Sequence, residues 1–317
     1  MRISLLDDSP HGKTRSIDGG YTLLEILVVM TIIALLAGII LPAVQAIRES
    51  ARRSQCAHNL HQIGLALHQY EASNGVFPPG TSAGYSFLAA ILPCLDRTPI
   101  YNALNFSAPP FIEGEMANQT VTRASVEVFL CPSDAVPTVP WGWTNYAGNR
   151  GSETSSFPYD GAFSYPPQSP FGSQQFTDGL SQTVGVAEWV LGGGPGAAKS
   201  RGAIFEISAS TRFPRACRTF DVRIAAAWLN IKGSNWKYGD YPHSLYNHIL
   251  SVNARSCTNM GSIQDGIFTA GSWHKGGANT LTMDGSVHYV KATIHPRLWR
   301  ALGTAHGAEI VPTDILY

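Results

Sequence analysis

The chain has 317 residues with 22 basic and 22 acidic side chains, so its formal net charge is zero. Without a basic field to attract phosphates, we expect no binding to nucleic acid. Charged residues make up only 14% of the chain, against ~25% in ordinary soluble domains, while the 44% of apolar residues can fill a core. Disorder of the whole chain is therefore excluded.

An uninterrupted apolar run covers residues 26–41, ILVVMTIIALLAGIIL, in which Thr31 has the single polar side chain. Counted from Tyr21 the stretch has 21 residues, and such a helix rises ~31 Å, enough to cross ~30 Å of hydrocarbon. A helix buried in a soluble core would show a polar position every turn. The run therefore predicts a membrane-spanning helix, and Pro42 at its far end predicts a kink.

Directly in front of this run, residues 20–25 read GYTLLE. The string resembles the signature of type IV prepilins: a Gly, an aromatic residue, Thr, Leu, any residue and Glu. This resemblance implies that a prepilin peptidase cleaves after Gly20 and methylates the new N-terminal residue, Tyr21. It also implies that Glu25 takes part in subunit assembly by pairing with the α-amine of a neighbouring subunit. A carboxylate in the first turn also suits the positive end of the helix dipole.

The alternative interpretation of the N-terminus is an ordinary secretory signal. In that case residues 44–46, Val-Gln-Ala, would provide the cleavage site after the apolar run, and the mature chain would begin at Ile47. The apolar run is long for such a signal, and this interpretation leaves the GYTLLE string unexplained.

Beyond Pro42 the helix is predicted to become amphipathic and to end at Asn74-Gly75, because the Gly supplies a stop and residues 77–80, FPPG, prevent a restart. Apolar residues recur at helical spacing. They are Val44, Ile47, Ala51, Leu60, Ile63, Leu67 and Tyr70. One helix, first apolar and then amphipathic, is the architecture shared by pilins and pseudopilins.

From residue 76 onward, strand-like runs alternate with clusters of Gly, Pro, Ser and Asn. The runs cover residues 183–190, 203–207, 280–283 and 286–290. We therefore predict an α+β fold in which the long helix packs on a mainly antiparallel β-sheet head with long loops. Residues 141–176, rich in Gly, Ser, Pro and aromatic side chains, are predicted to form a long surface loop or insertion.

The clearest hairpin signal is Asp284-Gly285 between two alternating runs. Both positions accept positive φ, so we expect a type I′ turn. Nine residues separate His274 from Asp284, and this His-x9-Asp-Gly segment, residues 274–285, resembles a signature of prepilin-type proteins whose role is unknown. We expect Asp284 to make the turn and His274 to hydrogen-bond a neighbouring loop. The alternative is a small site in which Asp284 and loop carbonyls hold Ca²⁺; otherwise we expect no cofactor and no metal.

Other segments resemble the same group of proteins, a bacterial domain of unknown function (number 1559) that follows prepilin-type N-termini and has also been labelled solute-binding-like. The segments read ARRSQCAHNLHQIGLALHQY, FPPG, LCPSD, TDGLSQTVGVAE and RLWRALGTAHGAEIV. Arg53, Asn59 and Gly64 fall on its helix segment. The resemblance runs from residue 20 to about residue 312.

The five cysteines argue against a structural zinc site, because they contain no CxxC pair and no His lies at zinc-ligand spacing from them along the chain. They are Cys56, Cys94, Cys131, Cys217 and Cys257. Outside the cytoplasm at most two disulfides can form and one thiol remains, with the pairing left open.

We predict no enzymatic activity. Residues 80–84 spell Gly-x-Ser-x-Gly, the nucleophile-elbow pattern of hydrolases. However, Pro78 and Pro79 occupy the place of the strand that must precede such an elbow. Four further acids lie near loop or strand ends without a diagnostic spacing. They are Asp134, Asp160, Asp178 and Glu188.

The sequence thus predicts a structural or assembly subunit resembling a type IV pilin or a type II secretion pseudopilin. Its segments would be a leader at 1–20, a transmembrane helix at 21–42, an amphipathic extension at 43–74 and an exported β-rich domain at 75–317. Its partners would be prepilin peptidase, the lipid bilayer and other pilin-like subunits or copies of itself. The expected location is the inner membrane, with the C-terminal domain in the periplasm or at the cell surface. The alternative function is a membrane-tethered module that binds a solute or glycan and does not polymerise.

Overall fold

The structure, a computed structural model, describes residues 22–108, 110, 116–154, 159–164, 168–194, 201–207, 213–221, 227–259 and 262–308. The predicted leader, residues 1–20, lies outside the described residues, as does Tyr21. The chain divides into two compact units, Met1–Arg48 and Glu49–Tyr317, and each is described by itself.

The long helix α1 covers Leu23–Asn74, as the helix stop at Asn74-Gly75 predicts. In the first unit its large apolar side chains, from Leu23 to Leu41, are between 46% and 84% exposed. By length and composition α1 contains one window that can cross a membrane, and none of that window is buried. This part of the helix is apolar on every side, and the first unit forms no core around it among the residues that the structure describes.

In the second unit α1 buries one face. Cys56, Leu60, Ile63 and Leu67 are at most 2% exposed and recur at four- and three-residue steps. Gly64 lets the helix approach the sheet closely, since a Cβ there would lie 2.8 Å from Leu281 Cδ1. The predicted apolar stripe therefore exists, but its burial begins at Cys56. Its earlier members Ile47 and Ala51 are exposed.

The second unit contains eleven strands among its described residues. They are β1 Thr81–Ser82, β2 Tyr85–Ser86, β3 Tyr146–Asn149, β4 Val184–Glu188, β5 Ile204–Ile207, β6 Ala227–Leu229, β7 Leu245–Tyr246, β8 Ser256–Asn259, β9 Ser262–Ile267, β10 Gly277–Thr282 and β11 Val287–Lys291. Short helices cover Phe87–Ala90, Thr98–Asn102, Gln119–Thr122, Phe213–Thr219 and Pro296–Ala301, and 3₁₀ turns cover Leu92–Leu95, Glu127–Phe129 and Ser173–Gln175.

These strands form a five-stranded sheet in the order β11-β10-β4-β3-β7, a four-stranded sheet in the order β6-β5-β8-β9 and the small hairpin β1-β2. All neighbours are antiparallel except β3 with β7 and β5 with β8. The predicted α+β fold, a long helix with a mainly antiparallel sheet head, is confirmed. The predicted runs at residues 183–190, 203–207, 280–283 and 286–290 overlap the strands β4, β5, β10 and β11.

The prediction of a surface loop over residues 141–176 is wrong, because this stretch contains β3, an interior strand with four buried residues. Two residues that are typical of loops, Gly148 and Asn149, are required by the packing of this strand. A Cβ on Gly148 would lie 2.8 Å from a ring carbon of Phe87 and 2.9 Å from one of Phe163. The Asn149 amide donates to the Val184 carbonyl at 2.7 Å. Close packing, which local composition does not report, turns loop-like residues into a strand.

The Gly-x-Ser-x-Gly string forms the β1-β2 hairpin and not a nucleophile elbow. Its two turn residues, Ala83 and Gly84, have φ values of 48° and 87°, as a type I′ turn requires.

Each of the two apolar clusters of the second unit contains one disulfide. The bond Cys56–Cys131 lies in the larger cluster, which includes the buried face of α1. The bond Cys217–Cys257 lies in the smaller cluster beside β5. Cys94 is the remaining free thiol. The expected limit of two disulfides and one thiol is thus reached, and the pairing that the sequence left open is assigned.

Candidate functional site

The N-terminus of α1 carries the acidic residue of the prepilin-like motif. The Glu25 carboxylate accepts hydrogen bonds from the Thr22 backbone N–H at 2.8 Å and from the Thr22 hydroxyl at 2.9 Å. Thr22 Oγ1 accepts in return from the Glu25 N–H at 3.3 Å. This reciprocal arrangement is a capping box, so the carboxylate is satisfied within the single chain. Gly20 and Tyr21, on either side of the predicted cleavage point, lie outside the described residues.

Pro42 lies inside α1, which continues for about nine turns beyond it to Asn74. A proline within a helix lacks the N–H that would bond the carbonyl four residues earlier, and its ring crowds that carbonyl. The kink expected at Pro42 stays a prediction.

The signature residue His274 lies before β10 and is only 3% exposed. Its Nδ1 is 2.8 Å from Oε1 of Glu49 on α1. Its Nε2 is 3.6 Å from Oε1 of Glu188, the last residue of β4. The imidazole thus connects the helix to the five-stranded sheet. The hydrogen-bond partner that we expected on a neighbouring loop is instead a carboxylate of the long helix.

The two carboxylates favour the charged form of this histidine. Burial alone would lower the pKa of His274, but hydrogen bonds and charge from Glu188 and Glu49 outweigh it, so the pKa is raised. For Glu49, partial burial works toward a higher pKa, while hydrogen bonds from His274, Arg52 and Ser133 outweigh it and lower the pKa. Both shifts favour an ion pair between His274 and Glu49.

The second carboxylate, Glu188, is held in one orientation. It is 1% exposed, and its two oxygens accept hydrogen bonds from the backbone N–H and the side-chain amide of Asn279, each at 2.8 Å. Because both contacts come from one residue of β10, the sheet fixes where Glu188 Oε1 points.

Two cysteines complete a cluster around His274. Cys131 Sγ lies 3.7 Å from His274 Nε2, and the ligand atoms of Cys56, Cys131, Glu188 and His274 all lie within 4.8 Å of one another. The sequence alone does not predict this set, because its members come from four distant segments and have no local spacing. One signal was available: each member lies in a different segment among those that carry the family resemblance.

Asp284 and Gly285 make the turn between β10 and β11, but the predicted type I′ geometry is wrong. Gly285 has a φ of 89°, whereas Asp284 is not among the residues with positive φ. The Gly285 N–H donates to the Thr282 carbonyl at 3.0 Å and the Thr282 N–H to the Ser286 carbonyl at 2.9 Å, which gives a three-residue connection with Gly285 as the bulge.

The Asp284 carboxylate is occupied by this turn. It accepts hydrogen bonds from the Thr282 hydroxyl at 2.6 Å and from the Ser286 backbone N–H and hydroxyl at 3.0 and 3.2 Å. Burial opposes ionisation, but these donors outweigh it and lower the pKa of Asp284. His274 and Asp284, the two ends of the signature, therefore have different partners.

A buried lysine and serine in the second unit resemble a base and a nucleophile. Lys232 Nζ donates to Ser256 Oγ at 3.0 Å and to the Thr269 carbonyl at 2.8 Å. Burial lowers the pKa of Lys232 to about 7. However, Lys232 and Ser256 are 2% and 1% exposed. Because neither atom is open to a substrate, the pair is part of the interior packing.

A groove of about 570 Å³ lies beside α1 in the second unit, lined by residues that include Gln55, Asn59, Arg97, Cys131 and Asp134. At its edge the indole of Trp273, 47% exposed, donates to Asp134 Oδ1 at 2.7 Å. The groove therefore combines amides, charges and an exposed aromatic ring nearby, and it reaches the disulfide.

Comparison with protein families gives two matches. Residues 45–297 match the family described as Protein of unknown function (DUF1559), and residues 15–41 match the Prokaryotic N-terminal methylation motif. Neither description is that of an enzyme. No curated protein and no solved structure matches the chain. The N-terminal match supports a prepilin-like protein of the kind that a prepilin peptidase processes. Because the first match covers most of the chain, the protein belongs to the DUF1559 family.

Proposed function

We propose that the chain is a structural or assembly subunit resembling a type IV pilin or a type II secretion pseudopilin. The observation that carries this proposal is the first part of α1, whose large apolar side chains from Leu23 to Leu41 are all exposed directly behind a motif of the prepilin type. Such a surface needs lipid before assembly and the same surface of neighbouring subunits after it.

In this proposal Glu25 directs assembly. The single chain satisfies its carboxylate with Thr22, across one turn of the helix. Cleavage after Gly20 would create an α-amine, and a neighbour's amine would offer Glu25 a full opposite charge inside an apolar bundle, where a charge without a partner is costly. The capping box would then hold the carboxylate in place until its partner arrives.

We propose a single-pass protein of the inner membrane, with residues 75–317 in the periplasm or at the cell surface. Two disulfides in the second unit support export, because disulfides persist in oxidising compartments. The division into a leader (1–20), a transmembrane segment (21–42), an amphipathic extension (43–74) and an exported domain belongs to the same proposal.

The first experiment is mass spectrometry of the mature N-terminus in cells with and without an active prepilin peptidase. We expect a chain that begins with methylated Tyr21 in the first case and an uncleaved chain in the second. A start at Met1 in the presence of the peptidase, or at Ile47, contradicts the proposal.

The second experiment separates assembly from helix capping. Glu25→Ala removes the carboxylate and its hydrogen bonds to Thr22, whereas Thr22→Ala removes only the two hydrogen bonds of the Thr22 hydroxyl and keeps the carboxylate. We expect cross-linking between differently tagged copies in the membrane to be lost in Glu25→Ala and kept in Thr22→Ala. Equal effects of the two variants would assign Glu25 to capping alone.

The alternative, a tethered module that binds a solute or glycan, is favoured by the groove beside α1 and by the exposed Trp273. Aromatic faces and neighbouring amides and carboxylates suit sugar hydroxyls. Titration with soluble oligosaccharides, followed by tryptophan fluorescence, tests it. Saturable binding that is lost in Trp273→Ala and unchanged in Glu25→Ala would support this function.

A further inference from the structure

The cluster around His274 contains the donor atoms of a metal site. Cys56 Sγ, Cys131 Sγ, His274 Nε2 and Glu188 Oε1 lie within 4.8 Å of one another, and all four residues are buried. Thiolate, imidazole and carboxylate are the ligands that Zn²⁺ takes in proteins, four at a time in a tetrahedron. In the structure the two sulfurs are joined as a disulfide, which leaves them no thiolate to offer.

We propose that the reduced protein binds one Zn²⁺ ion through Cys56, Cys131, His274 and Glu188, and that formation of the Cys56–Cys131 disulfide excludes the metal. The four residues then form one site with two alternative states, a metal centre and a disulfide. This inference concerns the second unit alone and does not depend on the proposed assembly function.

The distances between different donor atoms agree with this site. Zinc bonds of about 2.3 Å to sulfur and about 2.0–2.2 Å to nitrogen or oxygen place the ligand atoms of a tetrahedron roughly 3.4–3.8 Å apart. His274 Nε2 lies 3.7 Å from Cys131 Sγ and 3.6 Å from Glu188 Oε1. The other donor pairs lie within 4.8 Å of one another, and the two sulfurs must separate from bonding contact after reduction.

The outer contacts also agree with a metal site. When one ring nitrogen of a histidine binds zinc, the other usually donates its proton to a carboxylate, which fixes the tautomer and the ring orientation. His274 Nδ1 is 2.8 Å from Glu49 Oε1, so its Nε2 can face the metal. Glu188 Oε1 is likewise held by the Asn279 amide at 2.8 Å. Both non-sulfur ligands are thus already oriented.

The side of the cluster at Cys131 borders a groove. Cys131 and Asn59 line the groove of about 570 Å³ beside α1, which also contains the carboxylates of Glu127 and Asp134. Acidic groups at the mouth of a groove attract a divalent cation. The ion would therefore enter from this groove, past Cys131.

The exchange between the two states is balanced. A dithiol reductant supplies two electrons and two protons to the Cys56–Cys131 bond and is itself oxidised to a disulfide, and the protein gains two thiols. Zn²⁺ then replaces the two thiol protons, which pass to solvent. In reverse, a disulfide oxidant accepts two electrons from the two thiolates and two protons from solvent and becomes a dithiol, the sulfurs rejoin and the ion leaves.

The test uses the full chain in detergent, reduced, freed of reductant without oxygen, and titrated with Co²⁺ as a spectroscopic probe and then with Zn²⁺. We expect one Co²⁺ per chain, with a thiolate-to-cobalt charge-transfer band that one equivalent of Zn²⁺ removes. The oxidised chain should give no band. Zn²⁺ should also protect Cys56 and Cys131 from alkylation while Cys94, the internal control, stays reactive.

Variants distinguish this site from other thiols. His274→Ala and the double variant Cys56→Ser/Cys131→Ser should abolish the band, Glu49→Gln should weaken binding about 10–100-fold, and Cys217→Ser/Cys257→Ser should leave binding unchanged. Circular dichroism checks that each variant folds, and His274→Cys, which supplies another zinc ligand, should restore binding. The proposal is overturned if the reduced chain gives no band, if the band survives in His274→Ala, or if the disulfide cannot be reduced in the folded chain.

Discussion

The two parts of α1 differ in the surface that they present, although they belong to one helix. From Leu23 to Leu41 the large apolar side chains are exposed on every side, as at Leu36, which is 52% exposed. After Glu49 the apolar residues follow one face, and Leu60 and Ile63 on that face are fully buried. Among the described residues, the first part has no partner surface in its own unit, whereas the second part packs on the five-stranded sheet.

This difference shows that the apolar pattern of a helix indicates the kind of surface that covers it. An apolar stripe at helical spacing predicts a partner inside the same domain, because the opposite face must meet water. Apolar residues on all sides predict a partner that surrounds the helix, which is lipid or other helices. The boundary between the two patterns in the sequence therefore indicates where the helix exchanges one environment for another.

A charge in the apolar segment should affect the first part of α1 only. Leu36→Arg places a charge near the centre of the apolar segment, and such a charge opposes membrane insertion by about 2.5–3.5 kcal/mol, roughly a hundredfold. We expect the variant to be released by alkaline extraction of membranes. The matched control Leu65→Arg changes a leucine that is 58% exposed in the second part and should stay in the membrane fraction. Equal release of both variants would contradict the comparison.

Truncation of a buried leucine should affect the second part of α1 only. Leu60 is fully buried against the head, so Leu60→Ala removes packed methyl groups and leaves a cavity, at a cost of about 2–5 kcal/mol. We expect this loss in the free energy of unfolding measured with urea on the chain in detergent. Leu36→Ala, with the same chemical change at an exposed position, should alter head stability by less than about 0.5 kcal/mol.

A smaller effect is expected from a charge inside the head. The free energy of unfolding should change by about 1 kcal/mol per pH unit. Burial lowers the pKa of Lys232 from 10.5 to about 7. The charge of Asp134 opposes this shift, and the charge of Arg201 adds to it. Between these values the unfolded chain binds more protons than the folded chain, so the free energy of unfolding should rise with pH.

Urea unfolding at pH 7, 8 and 9 measures this slope, since below pH 7 both states are protonated and the slope from Lys232 ends. Lys232→Met removes the titrating group and should flatten the curve over the same range. An unchanged slope in that variant would assign the pH dependence to other groups.

The sequence predicted the features that depend on local pattern. The apolar run, the helix end at Asn74 and the hairpin around Asp284 follow from composition and turn residues. The strand β3 was missed, because its Gly148 belongs in a sheet only through contacts with two aromatic rings that are distant in sequence. The turn at Asp284 was placed correctly but given the wrong type, since hydrogen bonds to Thr282 and Ser286 favour a longer connection.

The candidate site shows the same division. The His-x9-Asp-Gly spacing drew attention to His274, but its partners Glu49 and Glu188 lie 225 and 86 positions earlier in the chain. Local spacing excluded a zinc site among the cysteines, whereas the fold brings Cys56 and Cys131 to one imidazole. Sites built from single residues of separate segments can be recognised only once the topology is known.

The smallest expected effect concerns the attachment of the second part of α1 to the sheet. The guanidinium of Arg53 lies 3.4 Å from the centre of the Tyr289 ring on β11, and such a contact at a water-exposed position contributes about 0.5–1 kcal/mol. Arg53→Ala should lower the free energy of unfolding by that amount. Arg48 is an exposed arginine of the first unit, and Arg48→Ala should leave the free energy of unfolding unchanged.

Burial raises the pKa of Tyr289, and Arg53 opposes that rise. Loss of the arginine should therefore move the phenol titration, followed by ultraviolet absorbance, to still higher pH. A stability change without that movement would mean that Arg53 acts through packing of its aliphatic stem and not through its charge.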